Sequence, residues 1–202
     1  MLAPVYRAAV IADPRLAGTV IEPIDEGGPD SELCYAFPSW WKSDKTSPHE
    51  VRVRLGDTAR ILALFERATE EFPVSYGIIA SRVGLELSAL TPELLYAFGF
   101  AHELGHIRRM LDLGEKAYKK QLRADLRQLP VRNTTPSDLM DRSSVQRRYV
   151  DKHWEWYSKE YGVQTVEELS ILQQHAYRNS TTEREADEFA ASVIQIGTDL
   201  LG

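Results

Sequence analysis

Two histidines stand four residues apart in Ala101-His102-Glu103-Leu104-Gly105-His106, and a glutamate directly follows the first. On a helix, residues i and i+4 lie one above the other, so His102 and His106 can each aim one ring nitrogen at a single metal ion. Glu103 projects beside them, close enough to take a proton from a water on that metal. A catalytic zinc takes three protein ligands and keeps a fourth position for water, so this spacing calls for a third ligand elsewhere. The candidates are the carboxylates and His49, His153 and His175. Asp112 stands six residues after His106, the spacing of a third ligand reached through a glycine turn. Arg109 occupies the place where that glycine belongs. The helix is therefore expected to run on and carry Asp112 away from the metal face.

A second stretch, Thr181-Thr182-Glu183-Arg184-Glu185-Ala186-Asp187-Glu188, lies far downstream. Glu183 and Asp187 are four apart, on one face of an expected helix. Ala186 and Ala190 share that face, and such small residues would let this helix approach the motif helix closely. Thr182 and Glu185 fit a capping box, which would fold Glu185 back onto the cap and leave Glu183 free in the first turn.

The pair His-Glu-Leu-Gly-His and Glu-Arg-Glu-Ala-Asp resembles the gluzincin clan of zinc metallopeptidases, in particular its HtpX-like and ImmA/IrrE-like families. The resemblance covers mainly residues 91–113 and 180–196. It implies a zincin-like fold with one zinc per chain, Glu183 as the third ligand, and Asp187 as the carboxylate behind a ligand histidine. Such a carboxylate fixes the ring tautomer and raises its basicity. The resemblance also implies a metalloendopeptidase that acts on a peptide or protein substrate, with Glu103 as general base. HtpX-like proteins usually carry membrane helices, which this sequence lacks. ImmA/IrrE-like proteins usually have asparagine where Asp187 stands, and a shorter gap than His106 to Glu183. The oxyanion of peptide hydrolysis needs a further donor. Tyr177 and His175, with Arg178 and Tyr161, lie upstream of Glu183 and could supply it; the sequence does not choose among them. The alternative reading is a catalytically inactive zincin-like regulatory or binding module, motivated by the long segment between the two motifs.

The elements that must position these residues can be read in part. Thr91 suits an N-cap, Pro92 the first helical position and Gly114 the C-terminal stop, which predicts one helix over 92–113. Beyond it, helices are expected around 115–129, 137–161 and 165–178, and the last helix is expected to continue to about Ile196. From Ile107 to Arg148 there are eleven Lys and Arg against five Asp and Glu. That excess reads first as a solvated helical face and second as a patch for acidic substrates or nucleic acid.

The N-terminal part is expected to hold a small sheet. Short strands are expected around Thr19–Glu22, at Cys34–Phe37, and at Val51–Leu55, where apolar and charged residues alternate. Asp57 caps an expected helix over 58–72, and Val74–Val83 leans to strand, with a helical reading almost level because Ala and Arg are mixed in. Val51–Leu55 or Val74–Val83 could serve as an edge that receives an extended substrate. Trp40-Trp41 reads as a core pair. The fold class expected is α+β, mainly helical, with the small N-terminal sheet packed on the motif helix (1–90 sheet-containing, 91–202 helical) in a single domain.

Bulk properties narrow the partners. The 202 residues are 43% hydrophobic, enough for a sizeable core. A net charge of −6 gives no global case for nucleic acid. The single cysteine, Cys34, excludes an internal disulfide framework and fits a reducing compartment. No signal peptide and no bilayer-spanning run is evident, so a cytoplasmic protein without a membrane partner is expected.

Overall fold

Where the described residues carry apolar side chains three or four positions apart, the backbone is helical. The computed structural model describes residues 2–23, 52–55, 65 and 69–199. Its helices are α1 (Leu2–Ala12), α2 (Pro73–Arg82), α3 (Pro92–Leu113), α4 (Glu115–Gln128), α5 (Pro136–Met140), α6 (Val145–Lys152), α7 (Trp154–Tyr161), α8 (Val166–Arg178) and α9 (Thr181–Asp199). Two short 3-10 helices cover Pro14–Gly18 and Leu87–Ala89.

The α+β expectation is corrected: the described fold is helical. Among the described residues the one strand pairing joins β1 (Val20–Pro23) to β2 (Arg52–Leu55), parallel and four residues long. A two-stranded ribbon of that length is too small to form a layer of a fold. Val74–Val83, where strand and helix were almost level in the sequence, is the helix α2. Pro73 opens that helix, and Tyr76, Ile79 and Ala80 form its buried stripe. Positions 76, 79 and 80 follow the helical period, and the run of apolar residues around them hid it. As a helix it offers no edge for a substrate. α1 accommodates Pro4 in its first turn, where a missing N–H costs nothing. The expected strand Cys34–Phe37, the pair Trp40-Trp41 and most of the expected helix 58–72 lie outside the described residues.

The helix expected over 137–161 is three helices, and the breaks have local causes. Asp141 accepts from the backbone N–H and the hydroxyl of Ser143, each at 2.8 Å, which draws the chain out of the helix. Ser144 then caps α6 by accepting from Arg147 N at 2.9 Å. His153 separates α6 from α7.

Packing divides the chain into two units, Met1–Gly114 with Glu185–Gly202, and Glu115–Arg184. The division falls inside α9, between its first turn and the rest. The first unit is built on α3, where Leu95, Phe98, Phe100, Ala101, Leu104 and Ile107 are all buried. α1, whose Ala8 and Ala9 are fully buried, packs on α3. Tyr6 approaches Phe100, with ring centroids 6.5 Å apart, and donates its hydroxyl to Leu16 O at 3.0 Å. The second unit has its own core of Val131, Leu139, Val150, Tyr157, Val163 and Leu169. There the fully buried Gln173 braces the turn after α4. It accepts from Val131 N (2.9 Å) and donates to Val131 O (3.1 Å) and Thr134 O (2.5 Å).

Candidate metal centre

The motif helix runs over the residues its end signals mark. Thr91 Oγ1 accepts from Leu94 N at 3.2 Å, Pro92 occupies the first turn, and Gly114 ends the helix at a positive φ of 76°. Twenty-two residues at 1.5 Å each place the two histidines in its second half, one above the other. His102 and His106 are both buried, and Glu103 beside them is partly exposed.

The two Nε2 atoms lie 2.9 Å apart, with the ring planes near perpendicular at 84°. The opposite nitrogen of His102, Nδ1, donates to Asp187 Oδ1 at 2.7 Å. An ionised carboxylate has no proton to give, so a neutral His102 ring in this place carries its proton on Nδ1 and turns the Nε2 lone pair towards His106. Asp187 is fully buried, and its second oxygen, Oδ2, pairs with the guanidinium of Arg82. One helical turn before Asp187, Glu183 is also buried, and Arg178 Nη1 stands 3.6 Å from its carboxylate.

His102, His106 and Glu183 form a buried group that could hold a metal ion, with one ligand atom from each within 4.8 Å of the others. Two imidazole nitrogens and a carboxylate oxygen are a donor set that suits zinc and several other divalent metals.

Close approach of two helices makes the arrangement possible. A Cβ built on Gly105 would stand 2.8 Å from Ala186 Cα and 2.9 Å from Ala186 O. The glycine of the first motif and the alanine of the second are thus backbone against backbone. Arg108 lies over the ring of Phe189, 5.2 Å from its centroid, and Arg109 pairs with Glu185 at 2.7 Å. The expected capping box is therefore replaced. Glu185 reaches Arg109, and Thr182 is bound by Asp125, whose Oδ2 accepts from Thr182 N at 2.8 Å and from its hydroxyl at 2.5 Å. A carboxylate is the better partner for the positive end of a helix, and the local box could not show one supplied from 57 residues away.

The other residues considered as ligands or donors are placed as follows. Asp112 is half-exposed and pairs with Arg15 at 2.7 Å. His175 is exposed on the last turn of α8, and Tyr177 is partly buried there. Tyr161 donates its hydroxyl to Pro130 O at 3.0 Å. His153 is exposed against Tyr149, with centroids 4.4 Å apart. His49 and Cys34 lie outside the described residues.

Arg82 was missed. Reading its segment as a strand gave it no partner. The signal was available in its place three residues after Ile79 and two before Gly84, the buried stripe and the stop of a helix.

No family model, curated protein or solved structure matches the chain.

Proposed function

We propose that this protein is a zinc-dependent metalloendopeptidase of the gluzincin type. The observation that carries the reading is the convergence of His102, His106 and Glu183 in a buried group, with Asp187 behind His102. His102, His106 and Glu183 would hold the ion. Zinc bound there would supply a Lewis acid for the scissile carbonyl and bring a water's pKa towards neutrality. Glu103, next to the first ligand and partly exposed, is the group to accept the water's proton and return it to the leaving amine. Asp187 holds the His102 ring against rotation and against the wrong tautomer. The resemblance of the two motifs to gluzincin peptidases agrees with this assignment, and the substrate it implies is a peptide or protein chain.

The test begins with elemental mass spectrometry of the purified protein. About one zinc per chain is expected, with clear loss in Glu183→Ala. Glu103→Gln should retain the zinc and lose roughly 10²- to 10⁴-fold in cleavage of a broad peptide library. Wild-type protein that takes up no metal after zinc is added sinks the metal centre. Undiminished cleavage by Glu103→Gln sinks the role of the base. Full zinc occupancy with no peptide cleaved would point instead to a zincin-like binding module.

A further inference from the structure

We propose that Arg82 is a positioning residue of this centre, which acts on the ligand His102 through Asp187. The inference rests on the metal-centre reading above and adds a residue that neither motif contains.

Its basis is the sharing of one buried carboxylate. The Asp187 side chain has no exposed surface. Oδ1 takes the N–H of His102, and Oδ2 takes the guanidinium of Arg82, whose side chain is 15% exposed. His102 and Arg82 therefore hold the two oxygens of one carboxylate, and the guanidinium fixes the orientation in which Oδ1 meets the His102 ring. Without that hold the buried carboxylate is free to turn about its own side-chain bonds, and the ring of His102 loses the partner that sets its angle.

The backbone that presents Arg82 is firmly stopped. Leu85 N donates to Ala80 O at 2.9 Å, and Gly84 N donates to Ser81 O at 3.2 Å. With Gly84 at a φ of +73°, this is a Schellman ending, and Arg82 is the last residue inside it. Ile79 and Ala80, buried on the same helix, anchor the turn from which the arginine reaches. Guanidinium is also the suited group, since it is always charged and more weakly hydrated than an ammonium.

The experiment measures zinc affinity by chelator competition on the full chain, for wild type, Arg82→Ala, Arg82→Lys, Asp187→Ala and the double variant Arg82→Ala/Asp187→Ala. Arg82→Ala should bind zinc about 10- to 100-fold more weakly, the usual cost of losing a partner behind a ligand. Arg82→Lys should recover part of that loss. The double variant should bind no more weakly than Asp187→Ala alone, because the arginine works only through the aspartate. Wild-type affinity in Arg82→Ala overturns the proposal, and so does an equal further loss in the double variant. A second readout needs no metal: nitrogen NMR of metal-free protein should show His102 protonated at Nδ1 in wild type and the Nε2–H form appearing in Arg82→Gln. An unchanged tautomer in that variant overturns the proposal. Absence of zinc binding in wild type defeats the metal-centre reading instead, and the tautomer measurement still decides the role of Arg82.

Discussion

Asp187 shows how much a single residue can carry and how little of it the sequence displays. Its spacing from Glu183 and its resemblance to a known motif suggested a partnership with a histidine, and the bond to His102 Nδ1 is present. Its other oxygen was not legible. Arg82 lies 105 residues away, in a segment whose helical period was masked by an apolar run. Asp125, which binds Thr182, was hidden by the same limit: distance along the chain. A third acid, Asp13, gives a prediction at this scale. Its carboxylate accepts from the Arg15 side chain at 2.6 and 2.9 Å and from Arg15 N at 3.1 Å. The Arg15 guanidinium, above all by hydrogen bonding, holds the Asp13 carboxyl below its usual range. A depressed folded pKa stabilises the fold above the unfolded value, about 3.9, and that contribution fades as pH falls through the folded value. Arg15 is half-exposed, so solvent screening keeps the effect small. Urea denaturation should therefore find Asp13→Asn less stable than wild type at about pH 7 and nearly equal to it near pH 2. A gap that persists undiminished in acid would mean that the carboxylate charge is not what matters.

At the scale of elements, α3 was legible from end to end because both of its ends are written in local chemistry: Thr91 with Pro92, and Gly114. The length of α9 and its small-residue face were legible as well. Ala186 meets Gly105 because both motifs place a residue without a bulky side chain at the crossing. The breaks between α5, α6 and α7 were not legible, since Asp, Ser and His are tolerated in helices and here act by side-chain bonds to the backbone. Two glycines of α3 make contrasting tests of the crossing. In Gly105→Ala the new methyl meets backbone, which cannot swing aside, so the helices must separate. A loss of about 1–3 kcal/mol is expected, together with weaker zinc binding. Nothing stands within 4 Å of a Cβ at Gly99, so Gly99→Ala should stabilise the helix by about 0.5–1 kcal/mol and leave zinc binding unchanged. Thermal unfolding and chelator competition on the two variants check this together. Equal behaviour of the pair would show that the crossing is looser than the backbone contact implies.

At the scale of the molecule, packing divides the chain into two units, and the second has an apolar core of its own. The second unit holds much of the basic excess. Most of those residues, among them Arg123, Arg127, Arg132, Arg142 and Arg148, are exposed, while Arg147 pairs with Asp151 at 2.9 Å. Among the described residues no helix is long and apolar enough to cross a membrane. The second unit depends on Gln173, which looks in sequence like one more polar surface residue of an amphipathic helix. Gln173→Leu keeps the volume but strands the Val131 N–H and two carbonyls, so a loss on the order of 3 kcal/mol is expected. Hydrogen exchange should show the loss first as weaker protection around 131–134. Unchanged protection there would assign the bracing of that turn to other contacts. The ties at Asp187 also bear on how the protein is made. They join residues 85 and 105 positions apart in the chain, and Glu183 lies near the same late end. A nascent chain that has emerged as far as residue 180 has both histidines and neither carboxylate. Any metal taken up by the full group must therefore arrive after Glu183 has been made, 77 residues later than the second histidine.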